Sequence, residues 1–327
     1  MTVKNNIVHV YPNLNNLGGA QKVMIQLKNF FGGKVYSFDY SSNVNIGYHL
    51  LRDEHCKLSL STLFKLKSST VISHHRKTTT LFYLANMIFM QKNRIIHVAH
   101  NEFNSLKWFS FFPKEIVAVS NKVKENHINY FGISSTDITV IHNGLADLEN
   151  LPQALNEAKQ KVKLLYAARI TDVKQQVLVA KLLNRIKLNN VHVYFAGDGD
   201  LVDDLKKECS GEFSTYLGVV DKIYTSFTEY DFLLLFSKNE GLPLSFIEAF
   251  RSYLPVICNT VGGNAEIVVD NYNGYLVHSW SELEELLIKL DTSKKLCIPE
   301  LGINARASYL QGFTDEKMLA LYKSYIL

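Results

Sequence analysis

The stretch "SKNEGLPLSFIEAF", residues 237–250, joins a strand to a helix through a tight turn. Residues 230–236, which precede it, are apolar without alternation, as is typical of a strand buried in a parallel sheet. Residues 245–252 are good helix formers without an internal breaker. Ligands of open parallel sheets bind beyond the carboxyl ends of the strands, so we expect this turn to lie at a binding site.

Short apolar strands alternate with helix-length segments in both halves of the 327-residue chain. This alternation predicts βαβ units and parallel sheets, and the length suits two domains. The polar, proline-containing stretch 143–160 is the predicted boundary. We therefore predict an α/β protein with two Rossmann-like parallel-sheet domains, 1–147 and 148–310, that face each other across a cleft. The predicted strands are 7–11, 34–38, 70–73, 94–99, 116–119 and 139–141 in the first half, and 162–168, 191–196, 215–217, 232–236, 256–259 and 275–277 in the second.

The composition is that of an ordinary globular protein, with 47% apolar and 20% charged residues. No apolar run approaches the roughly 20 residues that span a bilayer, and the first residues lack the apolar core of a signal peptide. The four cysteines are far apart and form no C-x-x-C pair, which argues against a zinc site and predicts reduced thiols in a cytoplasm. They are Cys56, Cys209, Cys258 and Cys297.

The net charge of +4 hides an asymmetry between the two halves. Residues 1–150 carry 16 Lys and Arg against 9 Asp and Glu, whereas the remainder carries 19 against 22. A basic first half suits an acidic partner such as a phosphate-rich substrate or an anionic membrane face. The alternative is a scattered, fully solvated surface. No nucleic-acid partner is predicted.

The turn at 240–245 has the features of an anion site. Pro243 suits the first helical position, and the N–H groups of Leu244 and Ser245 then point out of the helix start, where the dipole favours phosphate. Glu240 precedes this site and Glu248 lies one turn inside the helix. We expect the two carboxylates to reach opposite sides of a bound diphosphate, one the sugar and the other the ribose. Alternatively, Glu240 is a loop charge and Glu248 only complements the dipole.

Two cations follow the first strand of the second half. Arg169 and Lys174 lie on one loop, from which they could neutralise a leaving diphosphate, unless they are only solvated loop charges. Asp198 and Asp200 have a spacing that can hold a divalent metal. No other ligand cluster lies nearby, so we interpret this segment as a turn and predict no metal site.

Two features of the first half lie after predicted strands. Gly18 and Gly19 would let the backbone approach a ligand closely, or simply form a helix-start turn. They lack the full G-x-G-x-x-G spacing of a dinucleotide-dependent oxidoreductase, which is one alternative function. His100 ends a strand, where it could bond a sugar hydroxyl or carbonyl, whereas His97 is mid-strand and is predicted to be structural.

Taken together, these residues resemble the GT-B glycosyltransferases, and within them the retaining family four of the bacterial surface-polysaccharide type. From 162 to 278 the motifs are Arg169-x4-Lys174, "AGDGD", "YLGVV", "NEGLPLSFIEAF" and "LPVICNTVGGNAEIVVDNYNGYLV". In the first half they are "LGGAQ", His100, "VAVSNKV" and "VIHNG". One departure is "RSYLP", which replaces the usual Gly-x-Pro. The resemblance also implies that a last helix, 311–327, crosses back to the first domain.

The resemblance implies a role for each matching residue. Arg169 and Lys174 hold the donor diphosphate, Glu248 binds the ribose and Glu240 orients the donor sugar. The backbone of 216–219 forms a shelf for the base. The implied catalytic residues are Glu240, His100, Arg169 and Lys174; the implied donor-binding residues are Gly18, Gly19, Arg169, Lys174, Leu217, Leu242, Leu244, Ser245 and Glu248.

The implied activity is retaining transfer of a hexose or N-acetylhexosamine from a nucleotide-diphosphate sugar, with no obligatory metal cofactor. The donor is expected to be a uridine-diphosphate sugar, with guanosine diphosphate as runner-up. The acceptor is a glycan or lipid-linked glycan of a bacterial polysaccharide such as O-antigen or capsule. The alternative is a catalytically silent GT-B subunit that supports a partner, although the presence of Glu240, Glu248, Arg169 and Lys174 argues against it.

Residues 76–94 carry an apolar run between basic ends. Basic flanks around an apolar helical face suit a helix at an anionic membrane surface, which predicts a peripheral enzyme at the inner cytoplasmic face. The alternative is that the helix buries its apolar face against the first sheet. The apolar residues are Leu81, Phe82, Leu84, Ile88 and Phe89, and the basic ones Arg76, Lys77, Lys92 and Arg94.

Overall fold

The structure is a computed structural model that describes residues 6–14, 18–39, 54–148, 161–209, 211–293 and 298–327. Most of the predicted boundary stretch, 149–160, lies outside these residues. The chain divides into two compact units, of which unit 1 comprises Met1–Asn143 and Leu319–Leu327, and unit 2 comprises Gly144–Met318. Each unit has a parallel sheet flanked by helices, which confirms the predicted α/β class with two Rossmann-like domains.

Unit 1 contains a parallel sheet in which seven strands are described, in the order β3-β2-β1-β4-β5-β6-β7. Strand β1 lies between β2 and β4 and is parallel to both. The chain order reverses between β1 and β4. The strands are β1 (Ile7–Val10), β2 (Lys34–Ser37), β3 (His55–Lys57), β4 (Thr70–Ser73), β5 (Arg94–Ala99), β6 (Glu115–Ala118) and β7 (Ile138–Val140). The helices are α1 (Gly19–Phe31), α2 (Leu60–Lys65), α3 (Arg76–Ile88) and α4 (Asn121–Asn126).

Strand β3 is an element that the sequence pattern did not predict. It consists of His55, Cys56 and Lys57, which offer no apolar run, and among the described residues it pairs with β2 alone. Its partner β2 supplies the register, so tertiary pairing rather than local pattern defines this strand.

Helix α3 shows which face of the segment 76–94 is buried. Phe82 is fully buried and packs with Val71, Leu63 and Ile95, so one face of the helix belongs to the core. The other face ends in Met87 and Ile88, which are exposed. Within the described ranges, no helix has both the length and the apolar composition to cross a bilayer.

Two of the four basic residues that flank this segment, Arg76 and Arg94, make contacts inside unit 1. The Arg76 guanidinium is buried, stacks on the Phe103 ring at 4.3 Å and donates to the Ser105 carbonyl at 2.5 Å. Arg94 pairs with Glu115 at 2.6 Å. Both side chains satisfy internal acceptors, so neither is available to a surface ligand.

Arg94 also binds the end of the last helix, α11 (Asp315–Ile326). It donates to the carbonyl oxygens of Tyr325, at 3.1 Å, and Ile326. These carbonyls lie in the last turn of the helix, which leaves them without intrahelical donors and favours a cation there. Tyr322 and Ile326 are almost fully buried within unit 1. The final turns of the chain are therefore part of the structure of unit 1.

Unit 2 contains a parallel sheet in which six strands are described, in the order β10-β9-β8-β11-β12-β13. The strands are β8 (Val162–Ala167), β9 (Val191–Ala196), β10 (Ser214–Gly218), β11 (Phe232–Leu235), β12 (Val256–Asn259) and β13 (Gly274–Val277). The helices are α5 (Gln176–Ile186), α6 (Val202–Glu208), α7 (Leu244–Arg251), α8 (Asn264–Ile267), α9 (Trp280–Thr292), α10 (Ile298–Gly312) and the start of α11. The order is that of a dinucleotide-binding Rossmann sheet, 3-2-1-4-5-6.

A pair of substitutions in α3 measures how strongly its inner face is packed. Phe82→Ala removes a fully buried ring and should lower the free energy of unfolding by about 3–5 kcal/mol. Met87→Ala, on the exposed face of the same helix, should change it by less than about 0.5 kcal/mol. Urea unfolding followed by circular dichroism measures both. Equal losses for the two variants would contradict the assignment of the two faces.

Candidate functional site

The strand order of unit 2 places a candidate site at the carboxyl ends of β8 and β11. These two strands are neighbours, and the chain order reverses between them. Such a switch point opens a crevice beyond the strand ends, because the two following connections leave in opposite directions. The connections are 168–175 and 236–243, which carry the residues that the sequence analysis singled out.

An ion pair joins these two connections. The Lys174 Nζ atom lies 2.5 Å from Oε1 of Glu240, although the residues are 66 positions apart in sequence. The Glu240 side chain is only 7% exposed, and that of Lys174 is 24% exposed. A carboxylate this buried needs a positive partner, and the ammonium supplies one while keeping further N–H donors for a ligand.

Tyr166 is a site residue that sequence reasoning missed. It is the penultimate residue of β8 and fully buried, and its hydroxyl accepts the N–H of Phe236 at 2.9 Å. The same hydroxyl lies within donating distance of the carbonyl oxygens of Lys174 and Phe236. Burial raises the pKa of Tyr166 far above its usual range, so the hydroxyl keeps its proton and can donate. Tyr166 therefore fixes the backbone of one connection to the other.

Lys238 adds two further links between the connections. Its backbone N–H donates to the Val173 carbonyl at 2.8 Å, and its ammonium lies 2.7 Å from the Asp172 carboxylate. The ammonium–carboxylate pair is exposed, so it contributes little stability. The backbone bond is the more important link, because it sets the spacing of the two loops independently of solvent.

Of the two predicted cations, Arg169 is the one that stays available. Its side chain is exposed, and it makes no hydrogen bond or ion pair with the part of the chain that the structure describes. Its backbone is held in place, because the Gln176 side-chain amide donates to the Arg169 carbonyl at 2.9 Å. The predicted pair of equivalent cations is therefore unequal: Lys174 already neutralises Glu240, whereas Arg169 can receive an anion without losing a partner.

The "AGDGD" turn supports the Arg169 loop from the next strand. Gly197 and Gly199 have φ of +142° and +159°, and a Cβ on either would lie 2.1 Å from the carbonyl oxygen of Ala168 or Ile170. Only glycine permits this approach. Asp198 and Asp200 lie in this turn and are exposed, and Asp198 accepts the N–H of Gly199 at 2.8 Å.

The helix that follows β11 begins one residue later than predicted. Pro243 is the N-cap and α7 starts at Leu244, so Pro243 does not occupy the first helical position. The N–H of Phe246 is the first in the helix to find a backbone acceptor, the Pro243 carbonyl at 3.2 Å. The N–H groups of Leu244 and Ser245 have no acceptor within the helix, as expected of its first turn. An anion beyond this end would receive these donors and the positive end of the dipole.

The remaining residues predicted for unit 2 flank this helix start. Leu242 and Leu244 are buried, whereas Ser245 and Glu248 are half-buried. Glu248 lies one turn into α7, beside the helix start rather than in the core. Leu217 lies on β10, the edge strand of the sheet, and its side chain is 37% exposed.

The backbone of the "VGG" loop, residues 261–263, packs against Glu240. Gly262 has φ of +54°, and a Cβ there would lie only 1.7 Å from the Glu240 carbonyl oxygen. Gly263 donates its N–H to the carbonyl of Gly241 at 2.9 Å. This backbone contact requires glycine at 262 and fixes the position of Glu240 relative to the strand ends.

In unit 1, the predicted residues also follow strands next to the reversal of chain order. Gly18 is the N-cap of α1 and Gly19 its first residue; both are exposed. The Gly18 φ is −99°, so the backbone does not require glycine, and its N–H is donated to the Gln21 side chain at 3.1 Å. A Cβ on Gly18 would lie 3.1 Å from Oε1 of Gln21, which is a tight contact, and the exposure of both glycines leaves room for a ligand.

His100 ends β5 and belongs to a stack of three histidines that the sequence did not reveal. Its Nε2 lies 3.1 Å from Nδ1 of His74, and the two rings stack with centroids 5.3 Å apart. His74 stacks in turn on His9, at 6.3 Å. Burial lowers the pKa of His100 to about 3 and that of His9 to about 4. The stack is therefore neutral, and His100 can offer a ligand a hydrogen bond from its other nitrogen but no charge.

His97 is structural, as the sequence position indicated. It is 1% exposed, and its Nδ1 lies 2.7 Å from the Thr79 hydroxyl on α3. No group of three or more His, Cys, Asp or Glu in the described ranges is arranged to hold a metal ion. Cys56, Cys209 and Cys258 are free thiols, and Cys297 lies outside those ranges.

Comparison with known proteins identifies the family of this fold and site. The family model "Glycosyl transferases group 1" matches residues 147–307, and "Glycosyltransferase Family 4" matches residues 43–147. The two matches adjoin at residue 147 and together cover most of the chain. The protein belongs to glycosyltransferase family four, whose members have the GT-B fold.

Individual relatives agree with this membership. An O-antigen biosynthesis glycosyltransferase of Escherichia coli, WbnH, is 30% identical over 68% of this chain, which spans 62% of that relative's length. A second E. coli relative is UDP-Gal:alpha-D-GlcNAc-diphosphoundecaprenol alpha-1,3-galactosyltransferase. It is 25% identical over 82% of this chain and 78% of the relative's length. The crystal structure of Anabaena HepE with UDP superposes with a TM-score of 0.79 at 16% identity, covering 98% of both chains. That likeness shows the fold.

Removing one hydroxyl tests whether Tyr166 holds the two connections together. Tyr166→Phe keeps the buried ring but leaves the Phe236 N–H without its acceptor, which should lower the free energy of unfolding by about 1–3 kcal/mol. Tyr216→Phe removes a hydroxyl that bonds Gly197 at the exposed edge strand and should cost less than about 1 kcal/mol. Chemical denaturation measures both variants. A Tyr166→Phe variant as stable as the parent would show that the hydroxyl is not a link.

The buried histidines predict an acid sensitivity that is greater in unit 1 than in unit 2. Burial lowers the pKa of His9 and His100 below the ordinary 6.5, so between about pH 6.5 and 4 the unfolded state binds protons that the folded state refuses. The stability is complete above pH 6.5 and falls as the pH drops, by on the order of 1 kcal/mol per buried histidine. Hydrogen exchange at about pH 7.5 and pH 5, corrected for intrinsic rates, should show β1, β4 and β5 losing protection. Equal losses in β8 and β11 would contradict the prediction.

Proposed function

We propose that this chain is a retaining hexosyltransferase that uses a uridine-diphosphate sugar. It transfers a hexose or N-acetylhexosamine to a glycan, or to a lipid-linked glycan, in the assembly of a bacterial polysaccharide such as O-antigen or capsule. The observation that carries the proposal is the charged crevice at the switch point of unit 2. There Arg169, the Lys174–Glu240 pair and the start of α7 meet at the ends of two adjacent strands.

The donor diphosphate is the ligand that fits this crevice. Arg169 offers a planar, unpaired guanidinium to one phosphate, and the Leu244 and Ser245 N–H groups offer a dipole-supported cradle. Lys174 has N–H groups left after bonding Glu240, so it reaches the diphosphate without leaving the buried carboxylate unpaired. When the sugar–phosphate bond breaks, these fixed donors stabilise the charge that develops on the diphosphate.

The other site residues take the roles that the family resemblance implies. Glu248, half-buried beside the helix start, accepts the ribose hydroxyls, and the backbone around Leu217 supports the base. Glu240 orients the donor sugar. In unit 1, the neutral His100 bonds a hydroxyl of the transferred sugar, and the turn at Gly18 and Gly19 leaves room for the donor. The ion pair with Lys174 holds the carboxylate of Glu240 in place, from where it accepts hydrogen bonds from sugar hydroxyls.

The names of the relatives support the choice of donor and acceptor. WbnH acts in O-antigen biosynthesis, and the E. coli galactosyltransferase uses UDP-Gal and a GlcNAc-diphosphoundecaprenol acceptor. HepE has been crystallised with UDP and with UDP-glucose. A lipid-linked acceptor implies that the protein works peripherally at the cytoplasmic face of the membrane.

Retention is proposed to follow a front-face path. The bond between the anomeric carbon and the diphosphate oxygen breaks, and the acceptor oxygen attacks the same face. The acceptor proton passes to the departing diphosphate oxygen, so no enzymic nucleophile takes part. The proton coupling at the anomeric carbon of the product, measured by NMR, reports the configuration; inversion would overturn this part of the proposal.

Protection against thermal unfolding by a panel of nucleotides tests the donor. UDP and UDP-sugars at millimolar concentration should raise the melting temperature more than GDP or the nicotinamide dinucleotides, since ligands that bind the native state stabilise it. The same titrations in excess chelator should give the same shifts, because protein cations supply the charge. If no nucleotide diphosphate raises the melting temperature, the proposed function is wrong; binding without release of UDP from UDP-sugar in the presence of acceptor would favour the silent subunit.

Arg169 provides the sharpest mutational test of the diphosphate site. Arg169→Gln should weaken UDP binding about ten- to hundredfold, the effect of losing a charge-assisted hydrogen bond, with an unchanged melting temperature without ligand. Arg185→Gln is the matched control, because Arg185 is an exposed arginine of unit 2 that pairs with Glu284 on the surface. Isothermal titration with UDP measures both. Equal affinities for the two variants would remove Arg169 from the site.

A further inference from the structure

Unit 1 exposes large apolar side chains that its core does not use. We call six of them the apolar tip: Phe64, Met87, Ile88, Met90, Trp108 and Phe109. Trp108 is 85% exposed, Met90 87% and Phe109 74%. Single exposed apolar residues are ordinary, but an exposed group of aromatic and long aliphatic side chains marks an interaction surface.

Contacts between neighbouring elements connect the segments that carry the apolar tip. At one end, the Phe64 ring of α2 meets Phe89 edge-on, with centroids 5.5 Å apart. At the other end, the Tyr83 ring of α3 stacks on Phe111 at 6.1 Å. The N–H of Phe111 also donates to the Thr80 hydroxyl at 3.1 Å. Helix α3 therefore links α2 to the segment 106–111, which carries Trp108.

The helical period gives α3 a single stripe toward this segment. Thr80, Tyr83 and Met87 recur at spacings of three and four residues, so they lie along one side of the helix, and Met90 follows in the turn after it. The first two contact Phe111, and the last two are exposed. The opposite side carries Phe82 and is buried in the core. Met87 and Met90 are thus exposed, whereas Tyr83 also packs against the core.

The charge around the apolar tip has one sign. Residues 55–114 contain nine Lys and Arg and a single acidic residue, Glu102. Two of the nine, Arg76 and Arg94, are used inside the unit. The other seven are exposed lysines, several beside members of the apolar tip: Lys57, Lys65, Lys67, Lys77, Lys92, Lys107 and Lys114. A protein partner of mixed charge would not require so uniform a surround, whereas an anionic lipid surface matches it.

We propose that the apolar tip, with its surrounding lysines, docks unit 1 on an anionic bilayer. Trp108, Phe109 and Met90 enter the region of the headgroups, where aromatic side chains partition favourably, and the lysines remain at the level of the lipid phosphates. This inference deepens the acceptor part of the proposed function, since it gives the protein a surface that meets the membrane holding a lipid-linked glycan. The contact is carried by segment 106–111 and the end of α3, rather than by the apolar face of 76–94 as a whole.

The two tryptophans of the chain make the docking directly observable. Trp108 is exposed, whereas Trp280 in unit 2 packs against Phe236 with ring centroids 4.3 Å apart. Vesicles containing phosphatidylglycerol should shift the tryptophan fluorescence to shorter wavelength, and brominated lipids should quench it. Trp108→Phe should abolish both changes while retaining sedimentation with the vesicles, because phenylalanine still inserts. A spectrum unaffected by anionic vesicles would overturn the proposal.

Sedimentation with the same vesicles separates the apolar and electrostatic parts. Trp108→Ser with Phe109→Ser should weaken binding at least about tenfold, and Lys65→Gln with Lys67→Gln about fivefold per lysine at low salt. Neutral vesicles and high salt should weaken binding of the parent protein. The matched control is Ile303→Ser with Leu310→Ser, two exposed apolar residues of α10, which should bind as the parent does.

The alternative occupant of the surface is a second copy of the chain. Sedimentation velocity without lipid distinguishes it: if the Trp108–Phe109 variant abolishes self-association and the parent ignores vesicles, the docking proposal is overturned. Melting-temperature shifts with UDP, measured without vesicles, report the donor site independently. Loss of vesicle binding with intact UDP protection therefore refutes the membrane surface alone, whereas loss of UDP protection in the parent refutes the proposed function.

Discussion

The site in unit 2 depends on one constraint: a buried carboxylate must keep a positive partner. Glu240 lies at the end of one strand and Lys174 after the neighbouring strand, and their ion pair holds together two loops that are distant in sequence. The Tyr166 hydroxyl and the Lys238–Val173 backbone bond fix the same two loops without using charge. The electrostatic groups are therefore positioned before any ligand arrives, which is the condition under which fixed dipoles and charges are most effective in catalysis.

Unit 1 uses the ends of its strands in a different way. There the side chains at the reversal of chain order are neutral histidines, whose charged forms are suppressed by burial. A neutral imidazole distinguishes hydroxyl groups by hydrogen-bond direction and does not attract phosphate. Under the proposed function, the cations and helix amides of unit 2 bind the anionic leaving group, and the imidazoles of unit 1 bind sugar hydroxyls.

The sequence predicted most strands because parallel strands buried on both faces are rich in apolar residues, as in 232–236 and 256–259. It missed His55–Lys57, since an edge strand of three polar residues has no such signal. It singled out Lys174 and Glu240 but not their pairing, because the geometry of two loops 66 residues apart is set by the sheet. Tyr166 escaped notice for a related reason: a tyrosine within an apolar strand resembles a core residue until its hydroxyl is seen to bond another loop.

The contact between Arg94 and the carbonyls of Tyr325 and Ile326 bears on the order in which the chain acquires its structure during synthesis. Translation of unit 1 begins first, yet its residues 319–327 are translated after the whole of unit 2. A ribosome adds roughly 5–20 residues per second, so unit 1 waits for its last helical turns for some ten seconds or more after residue 143 has emerged. Throughout that interval Arg94 has Glu115 but not the helix end as a partner, and unit 2 has every residue it needs before unit 1 does.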